Sequence, residues 1–321
     1  MIEHRLEVRI SEVRDEADGI RSFELRRADG QALPAFAAGA HVDVHLPNGL
    51  IRQYSLCNSP QESDRYLLAV LHEPESRGGS TAMHALRAGD TLQISAPRNL
   101  FALDGSAAHS LLFAGGIGIT PILAMAEQLA VQGKPFALHY NARTSQRAAF
   151  LQHLAQVPWR ERVHLHFDDG ADEQKLDMTS VLAAAPAGTH LYVCGPGAYM
   201  QHVLDAGLSA GWAEARLHRE YFTAAPLPAS AEDTAFEVEI SSSGEVFTIE
   251  PGRSIAQTLD AAGVFVPVSC EQGICGTCLT NVLQGEPDHR DQFLTDIERA
   301  RNNEMLLCCS RSRSPRLVLD L

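Results

Sequence analysis

Short segments that alternate apolar and polar residues fill the first third of the chain and predict β-strands. Turns that contain glycine or proline separate these segments. Six segments follow the pattern: LEVRI (6–10), SFELR (22–26), HVDVHL (41–46), QYSLCN (53–58), YLLAVL (66–71) and TLQIS (91–95). Six short strands at this spacing predict a closed antiparallel β-barrel over residues 1–104.

The apolar pattern after residue 104 is that of an α/β domain, predicted over residues 105–223. Apolar runs recur about every 25–30 residues, with helical patterns between some of them, which indicates a parallel sheet with crossover helices. The runs are SLLFAGG (110–116), FALHY (136–140), VHLHF (163–167) and HLYVCG (190–195). One helix is predicted to begin with Thr120 as N-cap and Pro121 at the first helical position. Its core-facing stripe comprises Ile122, Met125, Ala126 and Leu129.

Residues 235–321 carry a third pattern, which predicts a separate small domain. It consists of strands FEVEI (236–240) and EVFTIE (245–250), a short helix and a final strand in RLVLDL. The helix is predicted to begin after Ser254, a suitable N-cap, and to place Ile255 and Leu259 on one face. This arrangement is typical of a β-grasp domain. The preceding segment, rich in Ala, Pro and Ser, predicts a linker over 224–234.

Charge and hydropathy exclude several classes of function. The chain has 26 Lys and Arg against 40 Asp and Glu, a formal net charge of −14, whereas nucleic-acid binding requires clustered basic residues. No apolar run approaches the roughly 18 residues of a membrane span, and the N-terminus lacks the apolar core of a signal peptide. We therefore expect a cytoplasmic protein that binds neither nucleic acid nor membrane. The acidity would suit a basic protein partner, although acidic surfaces also serve solubility alone.

The cysteines point to a metal centre. Cys270, Cys275 and Cys278 form a C-x4-C-x2-C motif, and Cys308 follows after 29 intervening residues. This is the plant-type spacing for a [2Fe–2S] cluster. A structural zinc site normally uses two close pairs of ligands, and a redox C-x-x-C pair would leave Cys270 and Cys308 without a role.

The residues around these cysteines fit the same interpretation. Gly273 and Gly276 would let the loop wrap tightly, so that backbone N–H groups can point at the sulfides of the cluster. Cys308 and Cys309 are adjacent, and spacing favours Cys308 as the ligand. Cys309 is then expected to be a small buried apolar residue.

A glycine-rich loop, GGIGITP (115–121), follows an apolar strand and precedes a helix. Such a loop lets the backbone approach a pyrophosphate at a helix N-terminus, although similar loops also serve tight packing alone. The full dinucleotide fingerprint is incomplete, because YNAR (140–143) stands where an acid would end the second strand. In the barrel, Arg52 and Arg77 are candidate phosphate ligands, with Ser80 and the neighbouring glycine amides as further donors. The alternative is that both arginines are solvated surface charges.

These motifs together resemble a known family. R-x-Y-S (52–55), G-G-x-G-x-T-P (115–121) and Y-V-C-G-P-x-x-x-M (192–200) resemble the ferredoxin–NADP reductase superfamily of flavoproteins. With a ferredoxin-like C-terminus, the chain resembles the phthalate dioxygenase reductase family from end to end. CEQGICGTCLT, LHREYF, PDHRD and CCSRS are most similar to reductases that serve vanillate O-demethylation.

The resemblance implies a set of cofactor-binding residues. FMN would be bound by Arg52, Tyr54, Ser55, Ala69, Val70, Leu71, Arg77, Gly78, Gly79, Ser80 and Thr81. The pyridine nucleotide would be bound by Gly115, Gly116, Gly118, Thr120, Cys194, Gly195, Pro196 and Met200. Cys194 and Phe222 would lie beside the nicotinamide and the flavin, although Cys194 also suits a buried strand end as a small filler. The cluster ligands would be Cys270, Cys275, Cys278 and Cys308.

The resemblance also implies an electron route from NADH to FMN to [2Fe–2S] and on to a Rieske-type oxygenase. That oxygenase would act on an aromatic acid or aryl ether such as vanillate. The cofactors would carry the redox chemistry, and no catalytic side chain is expected. Arg143 and Arg147 leave NADPH open as the electron donor. A reductase for a cytochrome P450, or a redox module without a dedicated oxygenase, are the alternative functions.

Overall fold

The computed structural model describes residues 5–222 and 233–321. It divides into two compact units, Met1–Glu220 and Tyr221–Leu321. The sequence predicts separate domains over 1–104 and 105–223, and both fall largely within the first unit. Most of the predicted linker over 224–234 lies outside the described residues.

The first part of the first unit is an antiparallel barrel. Its elements are β1 (Leu6–Ala17), β2 (Ile20–Arg27), β3 (Ala40–His45), β4 (Ile51–Ser55), β5 (Tyr66–Leu71), α1 (Gly79–Ala85), β6 (Thr91–Ile94) and β7 (Arg98–Asn99). The strand order is β4-β3-β6-β1-β2-β5, with β7 on β3. The two strands at the ends of this order, β4 and β5, are also joined to each other. Just after β4, the Cys57 N–H donates to the carbonyl of Leu67 in β5, and the Leu67 N–H donates to Asn58 Oδ1, both at 2.9 Å. These bonds close the sheet, as the sequence predicts.

Alternation along the strands fills this barrel. Val8 and Ile10 of β1 and Val42 and Val44 of β3 are fully buried in one apolar cluster. In β1 the polar residues between them face outward, because successive side chains of a strand point to opposite faces. The helix α1 was not predicted, since its sequence, GSTAMHA, contains only one large apolar residue, Met83.

The second part of the first unit is a parallel α/β sheet. Its elements are β8 (His109–Gly115), α2 (Ile119–Val131), β9 (Phe136–Ala142), α3 (Leu151–Gln156), β10 (Val163–Phe167), α4 (Met178–Ala184), β11 (Thr189–Cys194), α5 (Gly197–Ser209) and β12 (Leu217–Glu220). All neighbours in the order β10-β9-β8-β11-β12 are parallel. From β8 the chain adds β9 and β10 on one side of the sheet and then β11 and β12 on the other, so the order reverses between β8 and β11. Ligands of such sheets bind at this switch point, at the carboxyl ends of the strands. Four strands are confirmed; β12 was missed because it has only four residues, of which only Leu217 is apolar.

The start of α2 differs from the prediction. A 3-10 turn over Gly116–Gly118 leads directly into the helix, which begins at Ile119 with Gly118 as N-cap. The prediction of Thr120 as N-cap is therefore wrong. Its hydroxyl lies within the first turn and donates to the Ile117 carbonyl at 3.1 Å. The predicted apolar stripe is confirmed as buried: Ile122, Met125, Ala126 and Leu129.

The second unit is a mixed sheet with a helix packed against it. Its elements are β13 (Phe236–Ile240), β14 (Val246–Ile249), α6 (Ile255–Ala261), β15 (Leu279–Gln284), β16 (Pro287–Asp288), α7 (Asp296–Arg301), β17 (Glu304–Leu306), β18 (Arg311–Ser312) and β19 (Arg316–Leu319). The order is β14-β13-β19-β15-β17, with β13 and β19 parallel and β16 paired to β18. Ser254 forms the predicted N-cap, in a capping box with Gln257, and Ile255 and Leu259 are buried. The β-grasp prediction is confirmed.

Within residues 5–222 and 233–321, no helix has the length and apolar character that crossing a membrane would require.

Candidate cofactor sites

Four thiols of the second unit converge on one point. Cys270, Cys275 and Cys278 lie in the loop between α6 and β15, and Cys308 follows β17. Hydrogen bonds from the thiols of Cys275 and Cys308 hold the pKa of Cys270 well below its usual range. A thiol–thiol hydrogen bond also joins Cys278 to Cys308. The four sulfur atoms therefore form one coupled group, the donor set that a [2Fe–2S] cluster requires.

The loop around these thiols depends on its glycines. Gly273 and Gly276 have φ values of 72° and 70°, which disfavour any residue with a Cβ. A Cβ at Gly276 would also lie 2.5 Å from the ring of Phe293. The Gln272 N–H donates to Cys270 Sγ at 3.3 Å. The tight wrap expected from the sequence is present, and an N–H···S bond such as this one tunes the potential of an iron–sulfur cluster.

The adjacent residues Cys308 and Cys309 have different environments. The half-buried Cys308 thiol hydrogen-bonds to Cys270 and Cys278. Cys309 is buried in the apolar core of the unit, and although its thiol touches Cys308, its Sγ lies only 2.5 Å from the position of a Cβ on Gly273. Cys309 thus occupies the space that the absent side chain of Gly273 leaves free.

Sequence reasoning missed a segment that supports the cysteine loop. Asp291 is buried, and its Oδ2 accepts hydrogen bonds from the N–H groups of Phe293 at 3.1 Å and Leu294 at 2.7 Å. The next residue, Gln292, donates its N–H to the Gly273 carbonyl at 2.9 Å. An aspartate two residues before an apolar pair is a signal for such a side-chain-capped turn.

In the barrel, the structure brings together two of the residues expected at the flavin phosphate. A Cβ at Gly79 would lie 2.8 Å from Cγ and Nε of Arg52, so the Arg52 side chain crosses directly over this glycine. Burial raises the pKa of Tyr54, which remains a neutral phenol at physiological pH. Ser55 and, in the neighbouring strand β5, Ala69 and Val70 are buried, whereas Leu71 is half-buried.

The loop before α1 is held by its own side chains. Gly78 donates its N–H to Ser76 Oγ at 3.1 Å. The Ser80 hydroxyl donates to the same oxygen at 2.9 Å and accepts from the Glu73 N–H at 3.1 Å. The Ser80 hydroxyl and the Gly78 amide, both expected as phosphate donors, are thus used inside the loop. Arg77 and Thr81 are exposed.

The two loops at the switch point of the parallel sheet touch through their backbones. A Cβ on Gly118 would lie 2.2 Å from the Cys194 carbonyl oxygen, and one on Gly195 would lie 2.9 Å from Gly115 Cα. Only glycine permits this approach. Gly116, in contrast, has a φ of 53° and open space on its Cβ side. The loops after β8 and β11 therefore form a backbone-lined crevice of the kind that accepts a pyrophosphate.

Tyr199 completes this crevice and was missed from the sequence. Its ring lies over Gly115, within 2.7 Å of where a Cβ would be, and its hydroxyl donates to Asn141 Oδ1 at 3.0 Å. This bond ties α5 to the end of β9. Of the predicted residues nearby, Met200 is buried in α5, and Pro196 is exposed as its N-cap.

A second missed residue is Glu220 in the LHREYF segment. It ends β12 directly opposite Cys194, the last residue of β11. The Ser55 hydroxyl donates to Glu220 Oε2 at 3.4 Å. Desolvation raises the pKa of Glu220 to about 8, and burial also raises the pKa of Cys194. At neutral pH both groups therefore keep their protons.

Phe222 belongs to the second unit and is 38% exposed.

Both units of the chain are similar to known protein families. Residues 238–313 match the family described as 2Fe-2S iron-sulfur cluster binding domain, and residues 94–217 match the dimethylamine monooxygenase subunit DmmA-like N-terminal domain. The vanillate O-demethylase oxidoreductase of Pseudomonas sp. (strain HR199 / DSM 7063) is 57% identical over 317 residues, which cover 98% of this chain and 100% of the relative.

Two solved structures match over nearly the whole chain. Phthalate dioxygenase reductase, described as a modular structure for electron transfer from pyridine nucleotides to [2Fe-2S], is 42% identical with a TM-score of 0.75, covering 99% of this chain and 98% of its own. An intact type IV self-sufficient cytochrome P450 monooxygenase is 38% identical with a TM-score of 0.86, covering 99% of this chain and 41% of its own. The thiol group, the glycine crevice and these full-length matches together show that the chain belongs to the phthalate dioxygenase reductase family of iron–sulfur oxidoreductases.

Proposed function

We propose that this oxidoreductase takes a hydride from NADH and delivers electrons one at a time, through FMN and its [2Fe–2S] cluster, to a Rieske-type oxygenase. The observation that carries the proposal is that one chain combines a four-thiol site with a glycine crevice at the switch point of its parallel sheet. An electron entry site and a one-electron exit site are what a reductase component of an oxygenase needs.

The four converging thiols would hold the cluster through Cys270, Cys275, Cys278 and Cys308. Cys309 packs into the apolar core in the space beside Gly273, which supports Cys308 as the fourth ligand. The Gln272 N–H at Cys270 Sγ would stabilise negative charge on the sulfur and thereby favour the reduced cluster.

FMN would lie along β4 and β5. Arg52, held over Gly79, supplies a guanidinium for its phosphate, and Arg77 supplies a second exposed charge. Tyr54 and the buried edge of β5 at Ala69 and Val70 supply the apolar side that an isoalloxazine ring requires. The remaining contacts in this proposal are those of Ser55, Leu71, Gly78, Ser80 and Thr81.

The nucleotide would bind in the crevice between the loops after β8 and β11. Gly115, Gly116 and Gly118 would cradle the pyrophosphate at the start of α2, where the helix dipole favours an anion. The open side of Gly116 supports this placement. Thr120, Cys194, Gly195, Pro196 and Met200 complete the proposed set, with Phe222 as the aromatic that shields the flavin.

NADH is favoured over NADPH by two acids that follow β10 and lie beside the end of β9, the second strand of the sheet. The backbone N–H groups of Asp168 and Asp169 donate to the carbonyls of Ala142 and Arg143 at 3.1 and 3.3 Å. Their exposed carboxylates place negative charge beside the strand end where the adenosine ribose is recognised. This charge opposes a 2′-phosphate and offsets the exposed Arg143 and Arg147.

When bound, the cofactors supply the hydride and single-electron chemistry. The chain supplies a hydrogen-bonded pair of protonated groups, the Ser55 hydroxyl and the Glu220 carboxyl, which lie 3.4 Å apart and can hold a proton near the crevice. Because Glu220 stays protonated at neutral pH, no buried negative charge opposes electron arrival at this end of the crevice. Cys194 stays a neutral thiol for the same reason.

The relatives named above imply an oxygenase partner. We propose that this oxygenase is of the Rieske type and that its substrate is an aromatic acid or aryl ether such as vanillate. The oxygenase, and not this chain, touches that substrate. Residues 233–321 carry fourteen acidic and seven basic residues, which favours docking on a basic rim. NADH as donor and the free thiols favour a cytoplasmic location.

A cytochrome P450 is the second candidate acceptor, because the P450 monooxygenase described above includes a segment that matches this chain over nearly its full length. Anaerobic mixing with NADH tests the shared upstream route. Rapid bleaching of flavin and cluster is expected, and slow or absent bleaching would indicate a redox module instead. Reoxidation by a Rieske oxygenase, but not by a P450, would then assign the acceptor.

A further inference from the structure

Three side chains with metal-binding atoms meet at the amino ends of strands in the parallel sheet. The glycine crevice lies at the opposite, carboxyl ends of these strands. His190 and His218 are the second residues of β11 and β12, whereas Cys194 and Glu220 end these strands. Asp104 comes from the connection between the barrel and β8. Each residue offers one ligand atom, and these atoms all lie within 4.8 Å of one another.

The distances suit a tetrahedral ion. His190 Nδ1 lies 3.0 Å from His218 Nε2 and 3.8 Å from Asp104 Oδ2. Zinc with bonds of about 2.0–2.1 Å holds two ligand atoms about 3.4 Å apart. The two observed separations bracket this value, and the third pair of ligand atoms lies within 4.8 Å.

Neighbouring groups hold the carboxylate and one imidazole in place. Asp104 Oδ1 accepts hydrogen bonds from the Ser106 N–H at 2.7 Å and its hydroxyl at 2.6 Å, which leaves Oδ2 for the histidines. The Asp104 N–H donates to the Tyr192 hydroxyl at 2.8 Å. The His218 ring stacks on Tyr192 with centroids 4.5 Å apart. A metal site needs such outer support to fix its ligands.

The environments of Asp104 and His218 favour the protonation states that bind metals. Hydrogen bonds from Ser106 lower the pKa of Asp104, and desolvation lowers the pKa of His218. Neutral imidazole and ionised carboxylate are the binding forms. The chain contains a second stacked pair, His139 and His166, with nitrogens 3.1 Å apart, but no third ligand of the same kind joins it among the described residues.

We propose that Asp104, His190 and His218 bind one late first-row divalent ion such as Zn²⁺, with water as the fourth ligand. Two imidazoles and a carboxylate form a donor set that such ions favour over Mg²⁺ or Ca²⁺. The ion ties the barrel-to-sheet connection to β11 and β12 and stabilises the first unit. The site lies at the amino ends of these strands, away from Cys194 and Glu220, so it leaves NADH oxidation unchanged.

The test uses the purified reductase with flavin and cluster loaded, and Zn²⁺ as the probe in competition with a chromophoric chelator. One Zn²⁺ per chain is expected. Asp104→Asn, which keeps the shape of the side chain, should weaken binding by more than the roughly 10–100-fold that loss of an outer partner costs. His166→Asn, in the pair without a carboxylate, should bind Zn²⁺ as the wild type does.

A second readout is thermal stability. Zn²⁺ should raise the Tm of the wild type and His166→Asn but not of Asp104→Asn or His218→Gln, since only a ligand of the folded state stabilises it. Flavin and cluster absorbance verify that each variant is folded. Equal affinity in Asp104→Asn and wild type, or no binding at millimolar Zn²⁺, would overturn the proposal. Cluster bleaching in step with zinc uptake would also overturn it, because the cysteines would then be the ligands.

Discussion

The Ser55 hydroxyl donates a 3.4 Å hydrogen bond to the Glu220 carboxyl group and so links the end of a barrel strand to the edge strand of the parallel sheet. The two residues are 165 positions apart. Because desolvation keeps Glu220 protonated at neutral pH, this link is a neutral one. It places a titratable group beside Cys194, at the end of the glycine crevice.

Replacing Glu220 by Gln should change how stability depends on pH. The pKa of Glu220 is raised from about 4.5 when unfolded to about 8 when folded. The wild type therefore loses stability as pH rises through this window, by up to about 1.4 kcal/mol per pH unit, and the variant does not. Relative to wild type, Glu220→Gln should gain stability between pH 5 and 8 in denaturant titrations of the first unit.

Ser55→Ala serves as the control for that experiment. It removes the hydrogen bond but leaves the carboxyl group, so the pH-dependent loss should persist. A constant stability difference between Glu220→Gln and wild type across this pH range would contradict the account.

Paired substitutions can distinguish the proposed cluster ligand Cys308 from its neighbour Cys309. Cys308→Ser should lose most of the iron and the visible absorbance of the cluster, because one of four thiolates is gone. Cys309→Ser should retain both and lose only core stability, since Cys309 packs beneath Gly273. Iron analysis and absorbance measure the outcome, and cluster loss in Cys309→Ser alone would reverse the assignment.

Gly118→Ala should abolish rapid flavin reduction by NADH. The added methyl group would lie 2.2 Å from the Cys194 carbonyl oxygen and must push the two crevice loops apart. Gly105→Ala is a matched control, because nothing lies within 4 Å of its added carbon. Stopped-flow reduction checks both variants. Wild-type rates in Gly118→Ala would show that the crevice does not bind the nucleotide.

Nucleotide preference should depend on the acids after β10. Replacing Asp168 and Asp169 by Asn removes the charge that opposes a 2′-phosphate, so the ratio of kcat/KM for NADPH over NADH should rise by about tenfold or more. Asp172→Asn, an exposed acid paired with Lys175, is the control and should leave the ratio unchanged. An unchanged ratio in the double variant would place the ribose elsewhere.

Sequence patterns predict the parts of the fold that depend on local order. Alternation in HVDVHL and the apolar run SLLFAGG each determine a strand, because burial of one or both faces requires that pattern. The spacing of Cys270, Cys275 and Cys278 is local in the same sense, since these three proposed ligands share one loop. Thr120 was misplaced because a capping signal was judged without the 3-10 turn before it.

Contacts between distant segments could not be predicted. Nothing local marks Glu220 as the partner of Ser55, or brings Asp104 to His190 and His218, since these pairs depend on strand order. Tyr199 was missed because its hydrogen bond to Asn141 joins a helix to a strand 58 positions away. Only the folded sheet brings such residues together.

The most direct test of the electron route combines this reductase with a vanillate-demethylating Rieske oxygenase, NADH, oxygen and vanillate. Formaldehyde released is counted against NADH consumed. The account predicts nearly equal amounts and a rate that falls with added salt, as electrostatic docking requires. NADH consumption without formaldehyde would contradict the proposed partner, and no NADH consumption at all would contradict the route at its first step.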